Sequence, residues 1–217
     1  MKPAFRLKLL FTFLLSIGIA VSAFSQALKE TFTKSDAPIT YLGIDFSKSR
    51  LLDIGNANDI RDRLYASINQ LIVTEPKKFD LAAAFRKNGL EHDFSAVTKV
   101  NSAVNLNDII SSNSSDFNRL KEADIAASVK ALDLAGKKGI GLVFVMEAMR
   151  KVEKKGDIAV WVTLVDMEKK KVLMTERVEA KATAGIGFRN YWASAIKIMI
   201  DQIEKDKYKE WQKKYGN

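Results

Sequence analysis

The chain has 217 residues, no cysteine, one histidine and three prolines. Without cysteine it can form no disulfide, offers no thiolate as nucleophile or metal ligand, and cannot be anchored through a lipidated cysteine. With one histidine, a transition-metal site would need carboxylates for most of its ligands. A calcium loop is missing too, because "NANDIRD" lacks the glycine and the closing glutamate of an EF-hand. No metal and no other cofactor is therefore expected. The histidine, His92, stands beside Asp93 in "LEHDFS", where sequence neighbours point apart, so it reads as a surface residue of a connection rather than the base of a triad.

Long apolar runs are also scarce. The longest near the N-terminus, Leu9 to Val21, has 13 residues. That is short of the roughly 20 needed to cross a bilayer but suits the core of an export signal. Lys2, Arg6 and Lys8 precede it. Small residues follow, with Ala23 and Ser25 set for cleavage before Gln26, or Ser25 and Ala27 before Leu28. Residues 1–25 are read as a cleavable signal peptide, 26–38 as a flexible lead-in and 39–217 as a single domain. The product is expected in the periplasm or outside the cell, with no stable membrane anchor after cleavage.

Losing those three basic residues lowers the formal net charge from +9 to +6. The remaining basic residues are spread out, with some concentration in "KDKYKEWQKKYGN". A charge of this size favours solubility and weak attraction to anionic surfaces. No helix-turn-helix, zinc-finger or RNP pattern accompanies it, so nucleic acid is not an expected partner.

What is present is pattern. "ITYLGIDFS" (39–47) reads as a strand. Asn58 is placed to cap a helix through about Val73, with Ile60, Leu64, Ile68, Leu71 and Ile72 at helical spacing. A short helix around Phe79 to Lys87 follows. "FSAVTKVN" reads as a strand, and Ser115 to Leu134 as a helix with Leu120, Ile125, Val129 and Leu132 on one face. "GIGLVFVMEAM" (139–149) is a buried central strand, "DIAVWVTLVDM" (157–167) another, and "KVLMTERVEAKA" (171–182) alternates strictly. A helix from about Tyr191 to Lys213 closes the chain, with Trp192, Ile196, Met199 and Ile203 as its apolar stripe. The expected fold is α+β, a mixed α/β sandwich whose central sheet includes a C-terminal β-meander, followed by a long amphipathic helix.

Two places carry chemistry. In "AGIGFRNYW" (184–192), Gly185 and Gly187 allow a sharp turn, and Asn190 is a candidate N-cap for the helix beginning at Tyr191. Arg189 beside a helix N-terminus also suits a small anionic ligand. The glycines form neither a dinucleotide fingerprint nor a Walker loop. Glu147 interrupts an apolar strand and Asp45 ends another; on neighbouring strands they could face one cleft as a hydrolase's acid pair. The plainer expectation is that Glu147 pairs with a basic residue, Arg177, Arg189 or Lys151.

The stretch from "GIGLVFVMEAM" to "AGIGFRNYW", together with "YLGIDFS", resembles a family of exported, signal-peptide-bearing proteins of Bacteroidota-type bacteria. More remotely, the hairpin in which an aspartate turn leads into "KVL" is similar to curli-secretion lipoprotein and TolB N-terminal-like periplasmic domains. The resemblance implies envelope assembly, hence a non-catalytic binding or assembly module with an envelope protein as partner. Unlike the lipoproteins, this chain has no anchoring cysteine. Mass spectrometry of the exported protein should find a chain starting at Gln26 or Leu28. An intact Met1 on cytosolic material contradicts the export reading.

Overall fold

The computed structural model describes residues 26–216 apart from Lys154. The signal segment, residues 1–25, lies outside them. Helix α1 covers residues 26–33. Strands β1 (Ile39–Asp45) and β2 (Arg50–Leu52) follow. Helix α2 runs over residues 57–74 with a π-type turn at Ile60–Leu64, and α3 is Leu81–Ala84. After β3 (Glu91–His92) come α4 (Ser95–Ser102), two 3₁₀ turns (Leu106–Asp108 and Ser114–Asn118) and α5 (Glu122–Ala131). The chain ends with β4 (Ile140–Val152), β5 (Lys155–Asp166), β6 (Lys171–Ala182) and helix α6 over residues 187–215. Among the described residues no helix is long and apolar enough to cross a membrane.

The fold is a mixed α+β sandwich. One sheet has the order β3-β1-β4-β5-β6, with β2 also on β4. β1 and β2 lie end to end along the same neighbour, both parallel to β4, and β4-β5-β6 form the antiparallel meander. On one face, Tyr41, Ile44, Phe144, Met146, Val160 and Met174 pack with residues of α2 and α6. On the other, Leu42, Val143, Val145, Trp161 and Val165 pack against α4, α5 and the segment before α5. Continuous apolar strands flanked by amphipathic helices give these three layers.

Two bulges set the parity of the central strands. In β1 the pairing with β4 shifts between Tyr41 and Gly43. Gly43 has φ of 97°, and a Cβ there would lie 2.9 Å from both Phe94 and Val97. Only glycine fits this point, and the bulge returns Ile44 to the face of Tyr41. In β4, Met146 pairs with Val160 and Ala148 with Ala159, so Glu147 is the extra residue.

β3 pairs only the start of β1, and helix amides seal the remaining edge. The Ile44 N–H donates to Asn69 Oδ1 (2.7 Å), and Asn69 Nδ2 donates to the Ile44 carbonyl (3.1 Å). The Phe46 N–H donates to Asn101 Oδ1 (2.7 Å), and Asn101 Nδ2 donates to the same Ile44 carbonyl (2.9 Å). Asn69 comes from α2 and Asn101 from α4, both buried. Together they stand in for a missing strand, satisfying backbone groups that would otherwise be orphaned inside the protein.

Three expectations change. Residues 26–33 form a docked helix, not a lead-in. Leu28 and Phe32, four apart, share a face, and Phe32 stacks on Tyr215 at 5.8 Å while its carbonyl accepts from Tyr208 and Gln212. "FSAVTKVN" is helical because Ala96, Val97 and Asn101 point inward together. Asn56, not Asn58, caps α2, accepting from the Asp59 N–H at 3.2 Å. Asn69→Leu and Asn101→Leu should each lower unfolding free energy by about 2–4 kcal/mol, since each leaves buried backbone groups without partners. Urea denaturation checks this, and a change below about 0.5 kcal/mol for either contradicts the edge-sealing role.

Candidate functional site

Glu147 is fully buried and its carboxylate is saturated. Oε1 accepts from the backbone N–H groups of Arg119 and Leu120, each at 2.6 Å. Oε2 accepts from Trp161 Nε1 at 3.1 Å and Arg177 Nε at 2.7 Å. Of the three basic partners expected for this acid, Arg177 is the one that meets it. The guanidinium continues the network: Nη2 donates to the Phe117 carbonyl at 2.7 Å, and Nη1 contacts Glu179. The Phe117 ring in turn lies beneath Arg150, 3.8 Å from the guanidinium carbon to the ring centroid. Four donors on two oxygens leave no lone pair aimed at solvent or at a substrate. The arrangement does the work of a clamp, joining β4, β5, β6 and the turn into α5.

Asp45 lies on the neighbouring strand, paired in register with Val145, and alternation puts it on the same face as Glu147. No cleft separates the two, for both are buried. Asp45 Oδ1 accepts from the Ser47 N–H at 2.7 Å, while Oδ2 has no partner. Burial pushes its carboxyl above the usual carboxylate range.

The 184–192 stretch sits at the other face. Its helix begins at Gly187, with Ile186 as the preceding cap residue, so Asn190 lies inside the first turn and is not the N-cap. Asn190 Oδ1 accepts from Arg189 Nε at 3.1 Å, and both residues are exposed. The connection is tied from within the helix instead: Ser194 Oγ accepts from the N–H groups of Thr183 (3.1 Å) and Ala184 (3.4 Å). Gly185 has φ of 136°, and a Cβ there would lie 2.5–2.6 Å from the backbone of Asn190 and Tyr191. The glycine is required because strand end and helix pass in contact. Tyr191 covers Gly156 and lies 5.6 Å from Lys151 Nζ. A single pocket of Asp45, Glu147, Arg189 and Tyr191 does not form, because the acids and the loop occupy opposite faces of the sheet.

A concavity that sequence reasoning missed opens where β2 and β4 end. It encloses about 580 Å³, with Leu52, Ile54, Ile110 and Val152 on its walls beside Arg150 and Lys151. Ile54 is 93% exposed and Val152 58%. Large aliphatic side chains bared around one hollow mark a contact surface more than scattered ones do. The basic side chains are held rather than free, Arg150 by Asp157 at 3.0 Å and Lys151 near Asp53 at 3.8 Å. The only advance signal was "LLDIGN", an apolar run entering turn residues. Among the described residues no cluster of histidine, aspartate and glutamate could hold a metal ion.

No protein-family model matches the chain, and no curated protein matches it significantly. Among solved structures it is similar to the hypothetical protein CT253 from Chlamydia trachomatis, at 11% identity and a TM-score of 0.35, over 83% of this chain and 98% of that one.

Removing one charge at each acid should have opposite effects. Glu147→Gln should cost about 3–5 kcal/mol, because it strands Arg177 and puts an amide N–H₂ among donors. Asp45→Asn keeps the acceptor for Ser47 and should raise the melting temperature at pH 7. The sign follows from the raised native pKa: the unfolded chain ionises first, near pH 4, so stability falls as pH climbs from there through the native pKa. Thermal melts from pH 3 to 8 check both, and a destabilised Asp45→Asn at pH 7 contradicts the assignment.

Proposed function

We propose that this chain is a non-catalytic binding module of the cell envelope, working outside the cytoplasm after loss of residues 1–25. Its working surface is the hollow at the end of β2 and β4. The exposure of Ile54, Ile110 and Val152 around that hollow carries the reading. The saturated state of Glu147 supports it, since the most conspicuous acid of the sequence is spent on structure. The occupant is a peptide segment of an envelope protein bearing aliphatic side chains flanked by acidic ones. The aliphatic walls set the first requirement. The second comes from charge complementarity: Arg150, Lys151, Lys155 and Lys181 crowd this end of the sheet, against Asp53, Glu153 and Asp157. The hollow is wide and open, which suits side chains presented by a partner better than a small molecule.

A photo-crosslinking residue placed at Ile54 or Val152 should label one envelope protein in cells, and the same residue at Lys130 on α5 should not. Ile54→Ser combined with Val152→Ser should weaken that complex about tenfold or more while leaving stability within about 0.5 kcal/mol, as exposed positions allow. Equal labelling from all three positions overturns the proposal.

A further inference from the structure

The loop between α3 and β3 holds the chain's one Asn-Gly pair, Asn88–Gly89. Its two sides are unlike. Upstream the backbone is fixed. Arg86 turns the chain at a φ of 49°, and the buried Lys87 ammonium donates to the carbonyls of Thr31 (2.5 Å) and Lys34 (2.7 Å). The Asn88 N–H then donates to the Ser35 carbonyl at 3.0 Å, so the loop clasps the end of α1. Downstream the chain is loose. Asn88 and Gly89 are both exposed, and among the described residues neither the Asn88 side-chain amide nor the Gly89 N–H has a hydrogen-bond partner. A Cβ at Gly89 would meet nothing within 4 Å. The next paired segment is β3, set on β1 by two register pairs, Thr40 with Glu91 and Tyr41 with His92.

We propose that Asn88 is a site of spontaneous main-chain modification, with water as the co-reactant. The Gly89 nitrogen attacks Cγ of Asn88 and closes a five-membered succinimide ring. The side-chain nitrogen takes the proton that the Gly89 N–H gives up and leaves as ammonia. Water then opens the ring. Breaking the new bond from nitrogen to Cγ gives aspartate. Breaking the original peptide bond gives isoaspartate, whose main chain runs through Cβ and Cγ and is one carbon longer. The attack needs a nitrogen with no hydrogen bond to give up and no side chain in the way, and Gly89 supplies both. Asn101 is the opposite case, since it is buried in α4 with its amide bonded to Phe46 and Ile44. Asn113 is followed by Ser114 and spends its oxygen on Ser115. The extra carbon of isoaspartate falls between the Lys87 clasp and β3, so β3 is the element that has to shift.

The test is storage of the purified protein in heavy-oxygen water at neutral pH, followed by peptide mass spectrometry. The peptide carrying Asn88 should lose ammonia, gain one heavy oxygen and split into two chromatographic forms, while the peptides carrying Asn101 and Asn113 stay unchanged. Gly89→Ala should slow the conversion about tenfold, and it should fold normally because its Cβ meets open space. In the separated isoaspartate form, amide exchange across Glu91–Asp93 should be about tenfold faster than in the unmodified protein. Freshly made Asn88→Asp, which carries the charge without the extra carbon, should exchange as the unmodified protein does. No conversion at Asn88, or conversion of Asn101 or Asn113 at the same rate, overturns the proposal. Unchanged exchange across β3 in the isoaspartate form overturns the structural consequence assigned to it.

Discussion

One buried negative charge organises this protein. A carboxylate removed from water is tolerated only when every lone pair is met and an opposite charge is near. Glu147 meets that condition by drawing donors from three separate stretches: the turn before α5, the indole of β5 and the guanidinium of β6. None of those donors is local to β4. The acid is therefore comfortable only once the meander has paired and the segment over it has closed. Partial assembly leaves either the carboxylate or Arg177 stranded, which penalises alternative packings of the same strands.

The β4 bulge is the geometric counterpart of that charge. Without it, the alternation of β4 would place Ala148 on the face of Met146 and Met149 on the opposite one. With it, Met149 returns to the α2/α6 face, and Ala148 joins Phe117 and Ala159 on the other. The extra residue is the one that carries the acid. The β1 bulge works alike: Gly43 gives up a side chain where Phe94, Val97 and Asn69 close in, and Ile44 is presented to the two asparagine amides. Both central strands thus depart from ideal pleating where polar side chains enter the core.

That coupling explains what was legible beforehand. β6 could be bounded at Lys171 and Ala182 because Met174, Val178 and Ala180 recur at even spacing among charged residues, although a bulge at Leu173 breaks the alternation and turns Val172 to the opposite face. β4 was legible as a central strand because its residues are apolar on both faces. The α4 helix was not, since its inward face is Ala96, Val97 and Asn101, and a buried asparagine counts as polar in any hydrophobic pattern. The helix over 26–33 hid for a related reason: two apolar anchors in eight residues make no visible period. α6 starts early because Ser194, seven residues inside the helix, ties the connection, and no side-chain cap marks its end. Glu147 was located correctly inside a strand and Asp45 at the end of one, and Arg177 was among the partners named for Glu147. What spacing could not supply was the donor count at each oxygen, which separates a clamp from a reactive group.

The same count locates where binding can happen. A core whose polar groups are closed on one another cannot exchange those partners for a ligand's without loss of stability. Binding surfaces must then lie where the closure is incomplete. The partnerless polar atoms inside the protein, Asp45 Oδ2 and the Tyr41 hydroxyl among them, do not qualify, since the packing around them leaves them no surface to offer. At the end of β2 and β4 the incompleteness is hydrophobic and open, with aliphatic side chains facing water around a hollow. Such a surface has no hydrogen bond to complete and selects by shape and charge. It is held in place by β4, whose middle Glu147 ties to its neighbours, so a partner docking there meets a rigid strand end rather than a loop.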